Sequence, residues 1–168
     1  RGFTFKDPEK AGIYLDYIVW DDEETALAAA NDIKADKVCA PFMAAIEQVV
    51  HSAHYKPSHD GKLLCADDFD HNTVIEFALG EIKADALDTV KVVKPQLFEI
   101  VGQQQGMLQI TSAVACGNEK ALMDVLCWAS AEQMGQAMEV IHQTEQCQTF
   151  MSTFEKDVFY GHMQLLKD

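Results

Sequence analysis

Residues 13 to 56 of this chain lie on residues 121 to 164 without a gap, and that internal echo constrains the fold more than any other feature. Eleven positions are identical: Asp16/Asp124, Trp20/Trp128, Glu24/Glu132, Ala29/Ala137, Ile33/Ile141, Cys39/Cys147, Phe42/Phe150, Met43/Met151, Glu47/Glu155, Val50/Val158 and His54/His162. Average residue usage would give about three. A segment written twice implies one supersecondary unit used twice, each copy needing a neighbour to cover its apolar face.

Each copy reads as strand, helix, strand. In the later copy "KALMDVLCW" is a short apolar run ending at Trp128, and Ser130 supplies a helix start. Apolar residues then recur near helical spacing through Met134, Ala137, Met138 and Ile141, with a break near Thr144 before Phe150, Met151 and Phe154. "DVFYGHMQLL" closes the copy as a strand. The matching pieces of the earlier copy are "GIYLDYIVW", "DEETALAAANDIKADKVCAPFMAAIEQV" and "VHSAHY", with Pro41 expected to break or kink the helix. Cys39/Cys147, Phe42/Phe150 and Met43/Met151 read as core, and Glu24/Glu132 as acids suited to a first helical turn.

A further unit stands before the later copy. "NTVIEFALGEI" predicts a strand, "KADALDTVKVVKPQLFEIVGQQ" a helix despite Pro95, and "MLQITSAVAC" a strand that turns through "CGNEK" into the strand ending at Trp128. Residues 72–168 therefore spell β-α-β-β-α-β, the ferredoxin-like order. Residues 57–71 read as a linker, and residues 1–56 as the second half of another such unit, without its first strand and helix. The offset places the start of that first unit near position −36 (72 − 108 = −36), so about thirty-five to forty residues ahead of Arg1 are expected to complete it. The fold expected is α+β: tandem ferredoxin-like units with antiparallel sheets, packed face to face as an α+β barrel so that each covers the other's open face.

Composition narrows the partners. A formal charge of −14, from 27 acidic against 13 basic side chains, opposes nucleic acid and anionic membrane surfaces, whose recognition needs clustered Lys and Arg. Five cysteines without a C-x-x-C pair suggest neither a disulfide framework nor a zinc site, so a reducing, cytoplasmic setting is expected. No apolar run reaches the length of a membrane span. His51, His59 and His71 lack metal spacing, and no metal is expected.

With its β-α-β-β-α-β order and the motif Trp128-Ala-Ser-Ala-Glu132, echoed by Trp20-Asp-Asp-Glu-Glu24, the chain resembles the dimeric α+β barrel superfamily, and within it the antibiotic-biosynthesis-monooxygenase-like proteins. That resemblance implies a small-molecule pocket between sheet and helices, with Trp128 and Trp20 lining it. It also implies cofactor-independent oxygenase chemistry, or a relative of it, on a hydrophobic oxygenated substrate. The haem-degrading pattern would place a ligand His on the second helix, where this chain has Met138 and Ala30, with His142 one turn further on; no cofactor is expected. Pairing between the repeats within the chain is expected, with a homodimer as the alternative.

Strand periodicity puts Asp124 and Trp128 on one face, and Asp16 and Trp20 likewise. His162 and Asp124 are the candidate catalytic groups; Trp128, Glu76, Trp20, Asp16 and His54 are the candidate substrate-binding residues. The bland reading stands beside it: core tryptophans, solvated sheet-edge carboxylates, a structural strand histidine, and a non-catalytic ligand-binding or structural barrel.

Overall fold

The computed structural model describes residues 1–58, 62–65 and 69–166; His59 and part of the expected linker lie outside the described residues. The chain opens with a hairpin of β1 (Gly2–Lys6) and β2 (Tyr14–Ile18). Its turn is held by the Asp7 carboxylate, which accepts from the Glu9 and Lys10 amides at 2.8 and 3.0 Å. Helix α1 (Glu23–Ala35) starts where the Asp22 side chain accepts from the Thr25 amide, and α2 (Ala40–Ala45) follows. Pro41 lies in the first turn of α2, where its missing N–H costs nothing. The break precedes the proline, which opens the second helix rather than bending the first. A short strand, β3 (Tyr55–Pro57), closes this part; it begins where the expected strand "VHSAHY" ends, so His54 lies just ahead of it.

The complete unit follows as β4 (Val74–Ile82), α3 (Leu87–Gly102), β5 (Met107–Ala115), β6 (Asn118–Trp128), α4 (Ala131–Ile141), α5 (Glu145–Ser152) and β7 (Phe154–Leu165). Ser130 caps α4 by accepting from the Gln133 amide, and Thr144 caps α5 by accepting from Cys147, which makes the expected break near Thr144 a second helix start. Gly106, at φ +86, enters β5; a Cβ there would fall 2.6 Å from Gln133, so both backbone and packing demand glycine.

Seven antiparallel strands form one curled sheet in the order β2-β1-β7-β4-β6-β5-β3. Its middle, β7-β4-β6-β5, is the ferredoxin-like arrangement. The earlier part joins it at both edges: β1 pairs with β7, and β3 pairs with β5. The earlier strands and the ferredoxin-like strands thus belong to one curled sheet.

Alternation along the strands divides the sheet into two faces. Val74, Ile82, Leu122, Leu126 and Trp128 pack under α3, α4 and α5 against Val93, Leu97, Met134, Ile141 and Phe150. On the inner face, Phe5 of β1 meets Phe77 of β4 edge-on at 5.3 Å, among Ile75, Met123, Val125, Cys127 and Met163. Fully burying a side chain such as Phe77 contributes roughly 1.5–3 kcal/mol. Two linker residues join that core. Leu64 and Phe69 are buried there, and Gln109 of β5 fixes the passing chain by donating to the Leu63 carbonyl at 2.8 Å.

Candidate functional site

The register of the central strands decides which polar residues meet. Glu76 of β4 lies opposite Leu126 of β6 and His162 of β7, and Ala78 lies opposite Asp124 and Tyr160. All of these project from the helix-covered face. Glu76, Asp124, Tyr160 and His162 therefore form one polar patch around the small side chain of Ala78, which stays half-buried where its neighbours on a central strand are closed off.

Glu76 is the most constrained member. It is 6% exposed, and its carboxyl faces the Tyr160 phenol and the Trp128 indole. Neither Glu76 Oε2 nor Trp128 Nε1 completes a hydrogen bond. Burial pushes the Glu76 carboxyl up to about 7, with the nearby Asp124 charge adding to it and the Tyr160 and Trp128 donors opposing it. A carboxyl in that state exchanges its proton readily near neutrality.

Asp124 meets a different fate. Lys94 of α3 reaches down from the helix layer, its Nζ 2.7 Å from Asp124 Oδ1, and both side chains are nearly withdrawn from water. The ammonium also lies 5.3 Å from the Phe98 ring centroid and 5.8 Å from that of Phe150. The Asp124 carboxylate is thereby occupied by a buried cation from the helix layer. Trp128 is fully buried at the end of β6 among the helices, in the manner of a core residue.

His162 stands at the outer margin of the patch. Its Nε2 is 3.2 Å from the Tyr160 hydroxyl, and burial lowers its pKa while the Glu9 and Asp7 carboxylates partly restore it. A cleft of about 200 Å³ opens here between the β1–β2 turn and β7, lined by Asp7, Pro8, Glu9, Lys10, Tyr160, Gly161 and His162. A larger open groove of about 550 Å³ runs between α3 and α5 past Asp88, Val92, Gln96 and Thr149. Trp128 lines neither. Tyr160, more than half exposed, connects the cleft to Glu76.

The structure thus gathers Asp124, Trp128, Glu76 and His162, with Glu76 and Tyr160 at the centre. Asp16, Trp20 and His54 stand apart. Asp16 is exposed and accepts from Thr4 Oγ1 at 2.7 Å, Trp20 is half-buried just past β2, and His54 precedes β3. Tyr160 and Lys94 were not among the candidates. Tyr160 was legible, since it sits two residues before His162 and so shares its face; Lys94 is placed by helix docking and carries no local signal. Among the described residues, no group of three His, Cys, Asp or Glu is placed to hold a metal ion, and no helix is long and apolar enough to cross a membrane.

The fold, a continuous antiparallel sheet with helices over one face, is shared with known structures. A provisionally named monooxygenase of Fusobacterium nucleatum subsp. nucleatum ATCC 25586 is similar at TM-score 0.59 and 15% identity, over 99% of this chain and 75% of that one. The fold is that of the antibiotic-biosynthesis-monooxygenase-like proteins. A provisionally named monooxygenase of Lactobacillus acidophilus NCFM is similar at TM-score 0.53 and 10% identity, over 98% of this chain and 75% of that one. A provisionally named antibiotic biosynthesis monooxygenase of Bordetella bronchiseptica, at TM-score 0.49 and 11% identity, covers 57% of this chain and 99% of its own. No protein-family model matches the sequence, and no curated protein does.

Proposed function

We propose that this protein binds a hydrophobic, oxygenated small molecule over the Glu76–Tyr160–His162 patch and oxidises it without a bound cofactor. The observation that carries the reading is Glu76: a buried carboxyl on the central strand with an oxygen left without a partner. Such a group costs stability in the folded protein, and a ligand proton or hydroxyl would relieve it. The two similar structures of TM-score above 0.5 are provisionally named monooxygenases, which supports an oxygenase reading.

In this reading the Glu76 carboxylate removes a proton from a C–H flanked by carbonyl or aromatic groups. The resulting carbanion passes electrons to dioxygen and a C–O bond forms; O–O cleavage with loss of water then leaves a new carbonyl, so that a CH2 and O2 become a C=O and H2O. Tyr160 donates to the oxygen on which the anion's charge rests. His162 orients the phenol, and Asp124 with Lys94 holds the floor of the patch. In this reading the base is Glu76, expected as a substrate-binding residue, in place of the expected catalytic groups His162 and Asp124.

The test uses anthrone as probe, with dioxygen uptake followed at an electrode and binding followed by tryptophan fluorescence. One O2 consumed per anthrone, with Glu76→Gln lowering kcat by a factor of about 10² to 10⁴ while leaving the fluorescence change intact, would support the proposal. Neither uptake nor a fluorescence change across a panel of anthrones and hydroxyquinones would overturn it. The complete burial of Trp128 favours a second reading, a non-catalytic binding barrel. It predicts a fluorescence change with no oxygen uptake.

A further inference from the structure

We infer, on the small-molecule reading above, that the cleft between the β1–β2 turn and β7 is a subsite for an organic ammonium group, so that the substrate is an amine-bearing hydrophobic molecule whose cationic arm lies there while its reacting carbon faces Glu76.

Two walls of opposite character define the subsite. β7 supplies rings: Tyr160 and His162 lie two residues apart on one face of the strand, their ring centroids 5.4 Å apart and their planes at 72°, with the phenol oxygen 3.2 Å from His162 Nε2. The β1–β2 turn supplies charge. Asp7 Oδ1 accepts from the Glu9 and Lys10 amides at 2.8 and 3.0 Å, and those bonds, the Glu9 one foremost, hold its carboxyl below the ordinary range, so that it is ionised at neutral pH. Glu9 is exposed beside it, and the charges of Glu9 and Asp7 both reach across to His162, that of Glu9 the more strongly. Lys10 also lines the cleft and acts on Asp7, which leaves two carboxylates against one ammonium around an imidazole whose neutral form burial favours.

Carboxylates facing aromatic rings across a narrow gap attract a cation twice, by charge and by the ring quadrupole. An anionic arm would meet both carboxylates and a chain of net charge −14, and a neutral arm would gain from neither. Among the described residues no group of three His, Cys, Asp or Glu is placed to hold a metal ion, which leaves an organic cation as the occupant. A volume of about 200 Å³, below the roughly 300 Å³ at which sites begin to enclose a whole ligand, fits an arm and not a fused-ring body. The body then has one place to lie. Glu76 stands directly opposite His162 in the strand register, its carboxyl facing the Tyr160 phenol with one oxygen unpartnered. An ammonium held in the cleft therefore delivers the rest of the molecule to the base.

The experiment follows the His162 ring by NMR, assigned as the signal lost in His162→Gln, while benzylammonium, benzyl alcohol and benzoate are titrated in turn into the 168-residue chain at low salt. Benzylammonium should shift the His162 signals saturably in the millimolar range and lower the midpoint of their pH titration, because a bound cation disfavours the imidazolium. Benzyl alcohol should bind about fivefold more weakly, and benzoate more weakly still. Glu9→Gln should remove most of the preference for benzylammonium over benzyl alcohol, and so should about 0.5 M salt. A His162 signal that benzylammonium leaves unmoved, or that benzyl alcohol moves at the same concentrations, would overturn the inference; so would a preference undiminished in Glu9→Gln. These shifts need no oxidation, so the subsite stands on them even if anthrone is never oxidised. Oxidation of anthrone by a chain that shows no preference for the ammonium would leave the oxygenase reading in place and the ammonium subsite refuted.

Discussion

Trp128 ends β6 and Trp20 follows just past β2, each two residues before a helix cap, Ser130 and Asp22, and the two live in different surroundings. Trp128 is fully buried beneath three helices, whereas Trp20 is half-buried beside helices that pack on little else. Asp16 and Asp124 differ in the same way: one is bonded to a threonine hydroxyl in water, the other is sealed against Lys94. The same sequence signal therefore yields a core residue or a surface residue according to what the rest of the chain lays over it. The difference lies in β4 and α3. They supply Glu76 and Lys94, and so the Glu76 patch of the candidate site lies in the later half and has no counterpart in the earlier one.

The sharpest way to break this comparison is truncation of the two tryptophans. Trp128→Ala should cost roughly 3–5 kcal/mol, the range for a fully buried aromatic, and Trp20→Ala clearly less. Urea unfolding of both variants measures it, and equal losses would erase the contrast between the halves. The aspartates come next. Asp124→Ala strands the Lys94 ammonium under the helices and should cost about 3 kcal/mol, while Asp124→Leu with Lys94→Met should recover most of that loss. Asp16→Ala, in water, should barely move the unfolding midpoint.

Glu76 sharpens the comparison through pH. Its folded pKa of about 7 lies above the ordinary carboxylate range, so the folded state holds the extra proton between roughly pH 4.5 and 7. Stability should therefore fall as pH rises through that window and level off above it, by about 3 kcal/mol in all. Glu76→Gln should flatten this fall. A chemical-denaturation series from pH 4 to 8 tests it, and an unchanged slope in the variant would mean that another group carries the titration.

Much of the frame was legible because it rests on local rules. Apolar runs marked β4 and β6, Ser130 marked the start of α4, the expected break near Thr144 fell where α5 begins, and "CGNEK" marked the β5–β6 turn. The strand from Tyr55 was misplaced by several residues, because it is three residues long and is set by edge pairing with β5, not by its own pattern. Leu64 and Phe69 looked like linker and are core, since an isolated apolar residue among turn formers does not reveal that the chain crosses the barrel's inner face. At the site, strand period alone joined Asp124 to Trp128. That Glu76 lies between them and His162 depends on the register of three strands, which no single segment encodes.

The smallest expected effect concerns the helix caps, where the two halves should behave alike. Ser130 accepts from the Gln133 amide at 3.3 Å, and Asp22 accepts from the Thr25 amide at 2.7 Å, each satisfying one orphan donor in a first helical turn. Capping is a local interaction and does not need β4 or α3. Ser130→Ala should cost about 1 kcal/mol, while Ser130→Asp should retain most of the stability and add a charge favourable to the helix dipole. Because α4 is packed into the complete unit, the loss should appear in global unfolding. The matching Asp22→Ala change should appear first as faster amide exchange in α1, whose packing on the rest is slight. If Asp22→Ala lowered the global midpoint as much as Ser130→Ala, the earlier helices would be as firmly coupled to the core as the later ones, and the contrast between the two halves would rest on Glu76 and Lys94 alone.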